Sequence, residues 1–130
     1  MDAPMNAQTQ ANLLTALHGE AFAYAKYMLY AEHARKQGRK ELADLFEATA
    51  RTELFEHFAE EAELAGLVGD DAANLREAIG GEAYEVDTMY RTFAEQAQAA
   101  GDNAAAARFT EVRQDETHHR DAFTAALNRL

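Results

Sequence analysis

Seven side chains in this 130-residue sequence have the types and spacing to hold a pair of metal ions: Glu20, Glu53, Glu56, Glu82, Glu85, Glu116 and His119. Each falls where a helix would turn its apolar stripe inward. Glu20 lies within the stripe of Leu13, Leu17, Tyr24 and Tyr27, and Glu53 lies between Thr49 and the Leu64 side of another. Glu82 and Glu85 sit with Leu75, Ala78 and Met89, while Glu116 and His119 sit with Phe109, Val112, Phe123 and Leu127. A carboxylate taken out of water without a partner is strongly disfavoured, and several converging on one axis repel each other in a low dielectric. Cations remove both penalties. Carboxylate oxygens with imidazole and no thiolate suit iron or manganese, two ions being bridged by shared carboxylates.

The spacing fits a known recipe, in which two helices each give one Glu and two others each give a pair at i and i+3. Glu53 with Glu56, Glu82 with Glu85, and Glu116 with His119 are all such pairs. At the second of these helices the choice is open. On the wheel Glu56 lies about 40° from the stripe centre and His57 about 60° to the other side.

The elements that must carry these groups are helices. Alanine, glutamate and leucine abound, proline occurs once, and breaks fall at Gly38, at the segment Gly66 to Asp71 and at Gly101. Four helices are expected over 6–37, 40–66, 72–100 and 102–129, giving an all-α fold with a four-helix bundle as the way to bury the stripes. With 48% hydrophobic residues the chain suffices for one domain over 1–130.

The sequence is duplicated. An offset of 63 takes Tyr27 to Tyr90, Gly38 to Gly101, Phe46 to Phe109 and Glu53 to Glu116, whereas Glu20 reaches Glu82 at an offset of 62. One extra residue therefore lies between Glu82 and Tyr90. Absorbed in a π turn between 83 and 90, it would return Tyr90 to the inner face; left in an α-helix, it would swing Tyr90 about 80° from Glu82.

Other acids have simpler readings. Glu60, Glu61, Glu63, Glu77 and Glu111 read as solvated, although Glu60 also projects inward, and His18, His33 and His118 project off the site stripes. Tyr27 and Tyr90 would ordinarily be core aromatics. A net charge of −11 argues against nucleic acid as a partner. The absence of cysteine excludes disulfides and thiolate metal sites and fits a cytoplasmic setting. No stretch approaches a membrane span.

The motifs running from Asn12 to Glu20, from Leu45 to Ala50, from Asn74 to Tyr90 and from Glu116 to His119 resemble those of rubrerythrins, in the ferritin-like diiron carboxylate group. The resemblance covers nearly the whole chain. It implies Glu20, Glu53, Glu82, Glu85, Glu116 and His119 as ligands of two iron ions, with Tyr27 and Tyr90 hydrogen-bonding the ligand carboxylates. The family has Glu-x-x-His on the second helix, and here Glu56 stands at the histidine position with His57 one step later. The implied activity is reduction of hydrogen peroxide to water. The rubredoxin domain that many members append is not in this sequence, so electrons would come from an external, rubredoxin-like donor protein. Oxidation of ferrous iron by dioxygen, or a non-catalytic helical metal-binding or interaction module, are the other readings.

Length also bears on assembly. If the third helix runs parallel to the second, the link must return along roughly 30 Å, while about eight residues around 66–73 reach at most ~26 Å. A homodimer exchanging the hairpins 1–66 and 72–130 is therefore expected.

Overall fold

The computed structural model describes residues 4–130, and these form four helices joined by short turns. Helix α1 is Ala7–Lys36 and α4 is Asn103–Arg129. Helix α2 (40–65) runs through Lys40–Thr52, a π-helical segment Glu53–Phe58 and Ala59–Ala65; α3 (71–99) runs through Asp71–Tyr84, a π-helical segment Glu85–Met89 and Tyr90–Ala99. The backbone stays right-handed helical across every junction within α2 and α3. The all-α expectation is met, with each boundary within a residue of its predicted place.

Local chemistry explains the ends. The Asn6 side chain accepts from the Thr9 amide and Asp70 from the Ala73 amide, both at 2.8 Å, satisfying donors that a helix start leaves free. Between α1 and α2, Gly38 takes φ 74°, and between α3 and α4 Gly101 takes φ 82°. These left-handed residues let the next amide fold back, Arg39 onto the Ala34 carbonyl and Asp102 onto the Ala97 carbonyl, each at 2.9 Å. The repeated glycine is thus a repeated hairpin turn.

The chain divides after Val68 into two compact units, each one helical hairpin. In the first, α1 and α2 meet through Leu17, Ala31, Ala34, Ala43, Ala50 and Ala62, all buried. Alanine at these points lets the two backbones approach closely. In the second, Val86 and Ala97 are the buried apolar residues. Each hairpin also carries an aromatic trio. Phe46 lies 6.1 Å from Tyr27 and 5.4 Å from Tyr30, and Phe109 lies 6.1 Å from Tyr90 and 5.7 Å from Phe93, centroid to centroid. Among the described residues, no helix is long and apolar enough to cross a membrane.

The π segment in α3 falls where the sequence offset requires an extra residue. Tyr90 donates five residues back to the Glu85 carbonyl instead of four back to Val86. The π segment in α2 was not expected. There the Ala59 amide reaches Leu54, passing over the Phe55 carbonyl that an α-helix would use.

Candidate metal centre

Each hairpin gathers two carboxylates and one imidazole. In the first, α1 presents Glu20 and the π segment of α2 presents Glu53 and His57, each residue offering one ligand atom within 4.8 Å of the others. His57 Nδ1 lies 3.3 Å from Glu53 Oε2 and 3.6 Å from Glu20 Oε2. In the second, Glu82 on α3 meets Glu116 and His119 on α4. His119 Nδ1 lies 3.1 Å from Glu116 Oε2 and 3.8 Å from Glu82 Oε1. The two clusters repeat each other in composition and in distance.

The π segment decides which neighbour joins Glu53. In a straight α-helix a residue four positions on is displaced by about 40° and one three positions on by about 60° the other way. Widening the turn brings position i+4 back over position i, so His57 faces Glu53 while Glu56 is exposed and stands outside the cluster. The wheel leaned toward Glu56 because it assumed a regular helix. The sequence held a signal for the difference: Glu53 matches Glu116 at an offset of 63, but His57 matches His119 at 62, the same one-residue slip that located the other π segment.

Of the other expected residues, Glu85 is half-buried on α3, and its charge interacts with that of Glu116. Tyr27 and Tyr90 are half-buried within the aromatic trios. Glu60, Glu63, Glu77, Glu111, His18, His33 and His118 are exposed, and Glu61 is half-buried.

Two carboxylate oxygens, Glu20 Oε2 and Glu82 Oε2, are buried without any hydrogen-bond partner. Such atoms are unfavourable unless something positive meets them, and they occupy equivalent positions in the two hairpins. The donor set of carboxylate oxygens and imidazole nitrogen fits iron or manganese.

The charges respond to this crowding. The Glu82 carboxyl is pushed up to about 7, first by sharing a hydrogen bond with Glu116, then by burial and the negative charges of Glu116 and Glu85. Glu116 is held below the ordinary carboxylate range by that same bond and by His119, so the two carboxyls share a proton. Burial, then the Glu116 charge, raises Glu85. His119 is raised by its hydrogen bond to Glu116. Burial, reinforced by Glu85, Glu116 and Glu82, raises the Tyr90 phenol, which stays protonated.

The family model for Rubrerythrin matches residues 11–57 and 53–127. Nigerythrin of Nitratidesulfovibrio vulgaris is 37% identical over 133 residues, covering 92% of this chain and 66% of its own length. Rubrerythrin of Porphyromonas gingivalis is 34% identical over 132 residues, with the same coverages of 92% and 66%. The chain thus spans just under two thirds of these relatives. A solved structure described as the fully reduced, all-ferrous state of nigerythrin aligns over 98% of this chain and 69% of its own, at 33% identity and a TM-score of 0.48.

Proposed function

Because this chain belongs to the rubrerythrin family, a group of non-haem diiron proteins, we propose that it is an oxidoreductase that reduces hydrogen peroxide to water. The observation that carries this reading is the repeated Glu, Glu, His cluster, with one orphaned buried carboxylate oxygen in each copy. The proposed ligands are Glu20, Glu53 and His57 from the first hairpin and Glu82, Glu85, Glu116 and His119 from the second, with His57 taking the place that Glu56 held in the sequence reading. The resident metal is a pair of iron ions, with manganese the alternative that the same donors accept.

When bound, the iron pair supplies two electrons and Lewis acidity. Overall, one peroxide, two protons and two electrons give two waters, the electrons being restored by an external rubredoxin-like protein. The chain's own residues manage charge and protons. Glu82 and His119 hold protons that metal binding would release, and Glu85, raised by burial and by the Glu116 charge, is disposed to take one up. Tyr90 keeps its proton beside the negative charges of Glu85, Glu116 and Glu82, and in this reading would donate it to a ligand carboxylate in a hydrogen bond; Tyr27 holds the matching position in the first hairpin. In this reading the enzyme is cytoplasmic, in keeping with a sequence that has no cysteine.

We further propose that the active molecule is a homodimer in which the first hairpin of one copy completes its half-site with the second hairpin of another, giving one functional domain per exchanged pair.

The decisive experiment is to load the protein with iron, reduce it anaerobically and follow reoxidation in a stopped-flow cell. Oxidation by peroxide faster than by dioxygen by orders of magnitude is expected. Equal or faster oxidation by dioxygen would move the assignment to a ferrous-iron oxidase.

A further inference from the structure

A π turn strips one carbonyl of its backbone donor, and the two π turns of this chain dispose of that carbonyl differently. In α2 the carbonyl passed over belongs to Phe55, whose residue is 66% exposed, so water can satisfy it. In α3 it belongs to Val86, which is only 6% exposed, because Tyr90 donates to Glu85 instead. Water is not at hand there. The Arg113 side chain, reaching from α4, donates Nε–H to the Val86 carbonyl at 2.6 Å.

We propose that Arg113 is a positioning residue for the candidate metal centre, pinning the π turn of α3 so that Glu82 and Glu85 stay in register with Glu116. The bond is placed to do so. Val86 adjoins Glu85, and Arg113 precedes Glu116 by three residues, so one hydrogen bond ties the two ligand-bearing segments of this hairpin together. A second, weaker tie joins the Arg120 guanidinium to Asp87 at 3.5 Å, with the Asp87 side chain 66% exposed.

The duplication supplies an internal control. At an offset of 63, Arg113 matches Ala50 and Val86 matches Ala23. Helix α1 has no π turn at Ala23 and frees no carbonyl, and Ala50 is fully buried with no polar group to offer. The arginine occurs only in the hairpin whose freed carbonyl is buried. That pairing ties it to the π turn rather than to a general packing need.

The consequence at Glu82 and Glu85 rests on the metal-site reading, whereas the effect on the backbone does not. Native-state hydrogen exchange should therefore be measured on metal-free wild type, Arg113→Met, Arg113→Lys and the control Arg120→Met, followed by anaerobic titration of each with ferrous iron. Arg113→Met is expected to speed exchange of the amides in 85–90 at least roughly tenfold, leaving those in 53–58 unchanged, because a buried carbonyl loses its donor. It should also weaken ferrous binding about tenfold. Arg113→Lys, which keeps the charge and a donor, should remain folded and recover part of both effects, and Arg120→Met, which removes only the weaker and more exposed tie, should change both far less than Arg113→Met does. Unchanged exchange in 85–90, or equal acceleration across both hairpins, would overturn the proposal. Should wild type bind no ferrous iron, the metal-site reading fails, and the exchange pattern still decides the role of Arg113.

Discussion

Among single residues, His57 and Glu56 separate the regular-helix reading from the π-turn structure most sharply. Only His57 lies beside Glu20 and Glu53, so His57→Ala should weaken metal binding at least about tenfold, while Glu56→Gln should leave it unchanged; equilibrium dialysis with ferrous iron reads both. Equal losses would restore Glu56 to the ligand set. Protons give a second residue-scale test. The folded apoprotein holds a proton on Glu82 up to about 7 against an ordinary value of 4.5, and His119 is shifted in the same upward direction. A group raised on folding contributes stability that is present below its unfolded pKa and lost as pH rises through the folded one. Glu116, being lowered, acts in the opposite sense at the acid end. The apoprotein should therefore melt at lower temperature at about pH 8 than at about pH 5.5. Metal binding at Glu82 would displace this proton, so affinity should rise over the same interval. Calorimetry in buffers of different ionisation heat should detect proton release near pH 6, and none released would contradict the shared proton.

Among elements, the two π turns are compensating devices. One residue is added in α3 after Glu82, and one in α2 after Glu53, so the duplicated offset steps from 62 to 63 and back to 62. Each insertion is confined to a single wide turn, leaving the stripe beyond it in phase. Deleting Phe55, which is 66% exposed, should convert the Glu53–Phe58 segment to α-helix and place the histidine three residues after Glu53. Metal stoichiometry and helix content by circular dichroism should survive this deletion. The same deletion at Ala23 in α1, where no π turn absorbs it, should rotate Glu20 away by about 100° and abolish binding. Survival of binding in the Ala23 deletion would show that Glu20 is not a ligand.

For the whole molecule, complementation tests the exchanged dimer. Glu20→Ala damages the first hairpin and Glu116→Ala the second, so each variant alone should lose metal. In a mixed, exchanged dimer, the intact first hairpin of one copy meets the intact second hairpin of the other, and one undamaged site returns. Refolding the two variants together should therefore recover metal content and activity; without exchange every site keeps one substitution and nothing returns. Large apolar residues are left open on each hairpin, Leu14, Leu45 and Leu64 on the first and Tyr84 and Leu130 on the second, all more than half exposed, the surface that such pairing would cover.

Much of this was legible in the sequence because periodicity and duplication are local and repetitive. Glycines at Gly38 and Gly101 mark the hairpin turns, the apolar stripes mark four helices, and a one-residue mismatch after Glu82 marks a π turn. Tertiary structure decided what a regular helical wheel cannot. Whether Glu56 or His57 faces inward depends on how α2 takes up its extra residue against α1. That Arg113 matters depends on the burial of a backbone carbonyl, a group every residue carries and no sequence pattern singles out. Side-chain periodicity is inherited from the chain, whereas the strain of an inserted residue and the fate of the carbonyl it frees are settled only where two helices pack.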